Sequence, residues 1–348
     1  MSVTASLYHQ FKRYRTLQTD RIKTLPIVIL MPHSACNCQC VMCDIWKDNK
    51  NLKQLTEVDI KELLVSLKSL GTQQVLMSGG EALLNPLFFT FCELLKKNDI
   101  KISLLSTGLT LKRHAEQLIR YVNDIIVSLD GDEALHDRIR NIPNAFSKMK
   151  EGVQYIKNID PRFRITARTV IHRLNFRHWP AIIDAAKQIG LDQISFLPAD
   201  VSSHAFNREV LWSEQRQHEI MLEKEELKEL KEITEAIIET SANDPYFIAE
   251  SPEKLRKIPA YYAAFYGENP FPYKKCNAPW VSTVVEADGT VLPCFFHPPL
   301  GNIREHSLEE ILNSEKGIRF RKDLDMDSNS TCVKCVCYLN LSPRTKLS

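Results

Sequence analysis

The stretch TEVDIKELLVSLKSLGTQQVLMSGGE, residues 56–81, holds one complete helix–strand–loop unit. Ile60, Leu63, Leu64, Leu67 and Leu70 recur at the 3.6-residue period of a helix with one apolar face. Thr56 stands where an N-cap belongs and Gly71 where a C-cap belongs. Gln74–Ser78 then reads as a short strand, with Gly79-Gly80-Glu81 as the loop at its C-terminal end.

The unit recurs along the chain. Runs rich in Ile, Val and Leu lie at Ile27–Met31, Lys101–Ser106, Asp124–Leu129, Arg164–Ile171 and Gln193–Leu197. Amphipathic segments at 86–98, 111–122, 145–159 and 178–189 accompany them. Such runs suit strands covered on both faces. Six of them alternating with helices predict a parallel α/β sheet, open or curled toward a barrel. In either form the strand C-termini carry the site. The residues with chemistry fall there. A four-cysteine loop follows the first strand and Gly79-Gly80-Glu81 the second; Ser106-Thr107-Gly108 closes the third and Asp130-Gly131 follows the fourth.

Four segments are expected: a basic extension over 1–25, the strand–helix region over 26–200, a helical linker over 201–269 and a cysteine-bearing end over 270–348. Within the linker, Ser213–Ser241 reads as one packed helix, with Leu222, Leu227, Leu230, Ile233 and Ile237 on one face. Pro259–Tyr273, dense in Pro, Tyr and Phe, reads as an ordered, turn-rich connection.

A formal net charge of +2 with 44% apolar residues is an ordinary globular balance that argues for neither a nucleic-acid nor a membrane partner. The basic residues near the N-terminus (Lys12, Arg13, Arg15, Arg21, Lys23) read as the solvated face of a helix. Residues 1–15 lack a signal-peptide core, and no run nears the ~20 apolar residues that cross a bilayer. The expected location is therefore cytoplasmic, with the ten cysteines as thiols. Nine of them cluster, as Cys36, Cys38, Cys40, Cys43; Cys276, Cys294; and Cys332, Cys335, Cys337. That distribution points to metal or redox chemistry. Cys92, among Phe88, Phe89, Phe91, Leu94 and Leu95, reads as a small core hydrophobe.

Cys36, Cys40 and Cys43 have the spacing C-x3-C-x2-C. Three thiolates from one loop can hold three irons of a cubane and leave the fourth open, whereas an electron-transfer cluster takes four. An open position is how a metal centre binds a reactant. Zinc is the alternative on spacing alone, but it takes four ligands, and the nearest fourth is Cys38 in the same tight loop.

With these motifs the chain resembles the radical S-adenosylmethionine (SAM) superfamily. Its cysteine motif is matched with Met42 as the hydrophobic residue, and its Gly-Gly-Glu-Pro motif is present as Gly79-Gly80-Glu81-Ala82. Ser128-Leu-Asp-Gly131, followed by His136-Asp137 and Arg140, is similar to the branch with additional C-terminal clusters. The resemblance implies a partial (β/α)6 barrel over 26–200. It also implies a [4Fe–4S] cluster on Cys36, Cys40 and Cys43 whose open iron chelates SAM. A reduced cluster would cleave SAM to a 5′-deoxyadenosyl radical that takes hydrogen from a substrate. Implied SAM contacts are Met42, Gly79, Gly80, Glu81, Ser106, Ser128, Asp130, Arg168 and Leu197. Glu81 would accept from the SAM ammonium, Arg168 would pair its carboxylate, and Leu197 would lie under the adenine. Ser106, Ser128 and Asp130 are equally what ordinary turns use.

Cys276-x12-Gly289-x4-Cys294 with Cys332-x2-Cys335 gives four thiolates, a full set for one [4Fe–4S] cluster. Residues 283–292 read as a hairpin turning at Asp288-Gly289, which would bring Cys276 and Cys294 to its open end. Cys337 competes with Cys335 as the fourth ligand, and a four-cysteine zinc site is the alternative. The segment, from Cys276-Asn-Ala-Pro-Trp280 through Ser307-Leu-Glu-Glu-Ile311, resembles the SPASM/twitch extension of radical SAM enzymes. It carries too few cysteines for two clusters, so a small α+β domain with one auxiliary cluster is implied.

The expected activity is that of a radical SAM oxidoreductase. It would dehydrogenate a sugar- or aminocyclitol-like molecule, with electrons supplied by a flavodoxin- or ferredoxin-type donor. A peptide-modifying maturase is the second reading. Only 35 residues precede Cys36, fewer than a leader-binding domain needs, so that reading expects a separate leader-binding partner. A non-catalytic iron–sulfur or zinc protein is a third. No residue is assigned as the substrate acid or base.

Overall fold

The structure is a computed structural model that describes residues 3–345. The ends of the first and last expected segments, 1–2 and 346–348, lie outside the described residues. One nine-stranded sheet organises the chain, in the order β6-β5-β4-β3-β2-β1-β7-β8-β9. Its strands are β1 (Ile27–Leu30), β2 (Gln74–Met77), β3 (Lys101–Ser106), β4 (Asp124–Ser128), β5 (Arg164–Ile171), β6 (Gln193–Pro198), β7 (Ser282–Val285), β8 (Thr290–Leu292) and β9 (Gly301–Asn302). The first six are parallel neighbours, each within a residue or two of its expected place. The sheet does not close: β6 and β9 are its two edges among the described residues.

Local chemistry accounts for these elements. Helix Glu57–Ser69 starts at a capping box, with the Thr56 side chain accepting from the Asp59 N–H and the Asp59 carboxylate accepting from the Thr56 N–H. Arg304, from beyond β9, reaches back to pair with the same Asp59 at 3.0 Å. Along the strands, Val28, Leu30, Val75, Met77, Ile125, Val127, Ile165, Ala167, Ile194 and Phe196 are buried under the helices. Each such aliphatic or aromatic side chain contributes roughly 1.5–3 kcal/mol on leaving water. The intervening residues Ile29, Leu76, Leu105, Ile126 and Leu197 face a cavity instead. The strands are thus covered on one face only, and the apolar runs misled because the cavity wall is itself apolar.

Two linker readings are corrected. Ser213–Ser241 is not one helix: Glu214–Ile220 stops at Met221, and Leu227–Ser241 begins a new one. Met221 and Leu222 turn into the core at 4% and 0% exposure, and a Glu223–Glu226 capping box restarts the chain. Pro252–Phe265 is a helix that contains Pro259, with Tyr261 and Tyr262 buried, so only the residues beyond it form the turn-rich connection.

The cysteine-bearing end does not fold apart from the sheet. β7 lies parallel to β1 over Ile27–Leu30, and β8 and β9 continue antiparallel. The hairpin turns at Asp288-Gly289 as its sequence requires. Pairing β7 with β1 sets the loop after β1 and the cysteines flanking the hairpin on the same cavity.

Candidate functional site

The open concave face encloses a cavity of about 880 Å³. Cys36, Cys40 and Cys43 line it, and so do Cys276, Cys294, Cys332, Cys335 and Cys337. Cys38 and Cys92 are buried and off its wall.

The loop after β1 is fixed by its backbone groups. The Asn49 side chain clamps Cys36, accepting from its N–H at 3.0 Å and donating to its carbonyl at 2.8 Å. Gln39 and Val41 donate backbone N–H groups to the carbonyls of Arg140 and Ile139, each at 3.0 Å. Glu81 N–H reaches the Ala35 carbonyl at 2.9 Å. Gly80 is forced by this approach, because a Cβ there would lie 2.2 Å from the Ala35 oxygen and 2.9 Å from the Cys36 nitrogen. Gly79 has φ +116°, which L side chains rarely adopt. Gly80→Val should therefore push the cysteine loop outward and destabilise the fold by about 1–3 kcal/mol. Urea denaturation and the iron content after reconstitution both read this.

A second layer pins the loop from outside. Arg208 and Asp200, both fully buried, form an ion pair at 2.6 Å. Arg208 stacks 3.9 Å from the Trp212 ring centre, and Trp212 donates its indole N–H to Asp44 at 2.7 Å. Arg216 donates to the Val41 carbonyl. Phe206, at φ +62°, reaches across to Phe295 and Phe296 beside Cys294, with ring centres 5.5 and 6.4 Å away.

Seven of the nine expected SAM contacts line the cavity: Met42, Gly79, Gly80, Ser106, Ser128, Arg168 and Leu197. Glu81 and Asp130 do not; both are buried behind the wall, because a dehydrated carboxylate needs donors and the neighbouring protein supplies them. Glu81 accepts from the Thr107 N–H at 2.8 Å, the Ser106 hydroxyl at 3.1 Å and the Leu83 N–H at 3.3 Å. The Thr107 hydroxyl lies within 2.9 Å of both Glu81 and Asn37. Burial still pushes the Glu81 carboxyl above its usual range. Glu81 thus ties the end of β3 to the cysteine loop. Asp130 pairs with Arg140 and accepts from the Val170 N–H at 3.3 Å.

Arg140 is the main residue the sequence reading left without a role. It ends helix Glu133–Arg140 and is buried, and its guanidinium spans from Asp130 to the Cys40 sulfur at 3.4 Å. The sequence signal was its place in the segment after Asp130-Gly131, but nothing there showed a partner 100 residues away.

The thiols are tuned by burial. Cys36 and Cys43 are pushed up to about 12 by desolvation. Cys40 is drawn below the usual thiol range, first by the hydrogen bond from the Cys38 thiol and then by Arg140, against burial. Cys294 and Cys332, also desolvated, rise to about 12 and about 11. Protonated thiols release protons when iron binds. In the metal-free chain the sign is fixed. Thiols held near 12 when folded and near 9 when unfolded favour the unfolded state as pH rises. Stability of the metal-free chain should therefore fall from about pH 9 upward, read as a falling denaturation midpoint.

The donor set fits iron–sulfur chemistry. Thiols ranged along a cavity wall, one of them accepting from a buried guanidinium, suit a polynuclear cluster with several separated irons. No described helix is long and apolar enough to cross a membrane.

Comparison with known proteins agrees with this geometry. Residues 30–196 match the Radical SAM superfamily, and residues 276–336 match SPASM, an iron–sulfur cluster-binding domain. The chain is 25% identical to the Fe-coproporphyrin III synthase of Methanosarcina barkeri (strain Fusaro / DSM 804), over 92% of this chain and 84% of that protein. It is 22% identical to the cysteine-type anaerobic sulfatase-maturating enzyme of Clostridium novyi (strain NT), over 91% and 86% respectively. The crystal structure of Streptococcus suis SuiB bound to S-adenosylmethionine superposes with a TM-score of 0.65 at 14% identity, over 95% of this chain and 78% of that one, a likeness of fold. The chain is an enzyme of the radical SAM superfamily with a SPASM iron–sulfur cluster-binding domain at its C-terminal end, using S-adenosylmethionine, a [4Fe–4S] cluster and auxiliary iron–sulfur ligation.

Proposed function

We propose that the chain oxidises a small polar molecule, sugar- or aminocyclitol-like, held between two clusters. The observation that carries this reading is that both thiol sets line one cavity. Cys36, Cys40 and Cys43 hold the first cluster; Cys276, Cys294, Cys332 and Cys335 hold the auxiliary one. The open strand–helix region expected over 26–200 would carry the first cluster, and the end expected over 270–348, continuous with it through β7, would carry the auxiliary one, with 201–269 linking them.

With SAM and the first cluster in place the site would supply hydrogen-abstracting radical chemistry, and an auxiliary cluster would supply an acceptor for the second electron of an oxidation. The chain's own residues do the rest. Met42, Gly79, Gly80, Ser106, Ser128 and Leu197 form the wall against which SAM lies, and Arg168 offers a guanidinium to its carboxylate. Glu81 and Asp130 act from behind by holding Thr107 and Arg140. At the floor, Gln74 donates to Ser103 at 2.8 Å and Ser103 to Asp124 at 2.7 Å. Those polar groups inside an apolar cavity suit hydroxyl and ammonium groups of a substrate. Apolar walls exclude water, which would quench no radical but would weaken every polar contact that orients the substrate.

A second reading, modification of a peptide side chain, is favoured by the near full-length match to a sulfatase-maturating enzyme. The test supplies reduced, reconstituted enzyme and SAM with either aminocyclitols or candidate peptides. Deuterium passing from an aminocyclitol into 5′-deoxyadenosine supports the first reading. Transfer only from a peptide replaces it with the second. A flavodoxin- or ferredoxin-type protein is the proposed electron donor, and it should substitute for dithionite in the same assay.

A further inference from the structure

We infer that His297 donates a hydrogen bond to the Cys332 sulfur and thereby raises the reduction potential of the auxiliary cluster, making that cluster an electron acceptor. The inference rests on the reading that Cys332 is one of its ligands.

His297 follows Cys294 by three residues, in the turn that its own backbone N–H closes on the Cys294 carbonyl at 3.4 Å. The residue is buried, at 8% exposure. The imidazole packs edge-on against Phe320 of helix Glu315–Asp323, with ring centres 5.0 Å apart and planes at 67°, which fixes its orientation. Held in this way, Nε2 lies 3.3 Å from the Cys332 sulfur. Cys332 comes from a separate short helix, Ser330–Val333, so the contact joins the two halves of the auxiliary thiol set.

The direction of the bond follows from the chemistry of the sulfur. An iron-bound cysteine has lost its proton and can only accept, so the proton on this contact must sit on Nε2. A donor to a cluster sulfur draws charge from the iron–thiolate bonds. Reduction adds negative charge to the cluster, so the reduced form gains more from the donor than the oxidised form does. The potential therefore rises. Lys274 acts in the same sense from the other side. Two residues before Cys276, it donates Nζ to the Val333 carbonyl at 2.9 Å and also to that of Cys335, placing a cation against the loop that carries Cys332 and Cys335. The triad loop has its own donor in Arg140. His297 belongs to the auxiliary set alone, and it neither takes nor gives the reacting hydrogen: it is a positioning and tuning residue.

The experiment uses the full chain with Cys36, Cys40 and Cys43 replaced by alanine, reconstituted anaerobically so that only the auxiliary cluster assembles. Its midpoint potential is measured by titration monitored by electron paramagnetic resonance. His297→Phe should retain about four irons and shift the midpoint to more negative potential. His297→Gln, which keeps an N–H donor, should recover part of that shift. An unchanged midpoint in His297→Phe overturns the inference. Absence of iron in the parent triad variant overturns instead the assignment of Cys332 as a ligand. Should His297→Phe lose its cluster, wild-type chain labelled with 15N-histidine decides the matter through its hyperfine spectrum. A weak nitrogen coupling to the reduced auxiliary cluster supports the hydrogen bond. No coupling, or the strong coupling of a directly bound nitrogen, refutes it.

Discussion

Replacing Cys36, Cys40 and Cys43 with alanine should abolish 5′-deoxyadenosine formation while leaving about four irons per reconstituted chain. The size of the effect follows from what the loop does. Its three sulfurs line the same wall as Gly79 and Gly80, and no other described cysteine on that loop faces the cavity. Cys38 cannot substitute, since it is buried behind the wall. With the sulfurs gone there is no site for SAM to be reduced, so the loss should reach the assay background, at least about a thousandfold, or about 4 kcal/mol of barrier. The fold should survive, because the loop is held by Asn49, Gly80 and the backbone pairing to helix Glu133–Arg140, none of which uses a thiol. Iron assay, quantified 5′-deoxyadenosine and far-UV circular dichroism read the three quantities together. Residual cleavage in the triple variant would show that SAM is activated elsewhere.

Replacing Cys276 and Cys294 should separate the two halves of the reaction. Cleavage of SAM continues in part, because the first thiol set and its supports are untouched. Product formation should fall by at least about a hundredfold, close to 3 kcal/mol, because the substrate radical loses its electron acceptor. Phe295, Phe296 and Phe206 bridge the two loops, so some loss of cleavage is expected as well. The diagnostic is the ratio: 5′-deoxyadenosine formed per product rises. If both fall together, the auxiliary thiols support the fold rather than the electron's path.

Much of this was legible in the sequence for reasons that are local. Thr56 with Asp59, the apolar period of the helix that follows and the Asp288-Gly289 turn each specify their element within a few residues. The six parallel strands and the ends on which the cysteine and glycine loops sit followed from that periodicity. What escaped depends on tertiary pairing. β7 joining β1 has no local signature, yet it sets the two thiol groups on one cavity. The break at Met221 occurs because the fold buries Met221 and Leu222, which a helical period cannot announce. Arg140 and His297 gain their meaning from sulfurs 100 and 35 residues away. Glu81 and Asp130 stand out in the sequence, yet they lie behind the wall rather than on it, because a sequence shows a carboxylate without showing which way it turns.

The central claim is that the loop of Cys36, Cys40 and Cys43 leaves one iron open for SAM. It is tested most directly by electron–nuclear double resonance on reduced, freeze-quenched enzyme given SAM labelled with 15N in its amino group. The expected result is a nitrogen hyperfine coupling to the cluster, present in the wild-type chain and in the Cys276/Cys294 variant and absent from the Cys36/Cys40/Cys43 variant. A coupling that persists without those three cysteines, or no coupling in a wild-type chain shown to bind SAM, would contradict it.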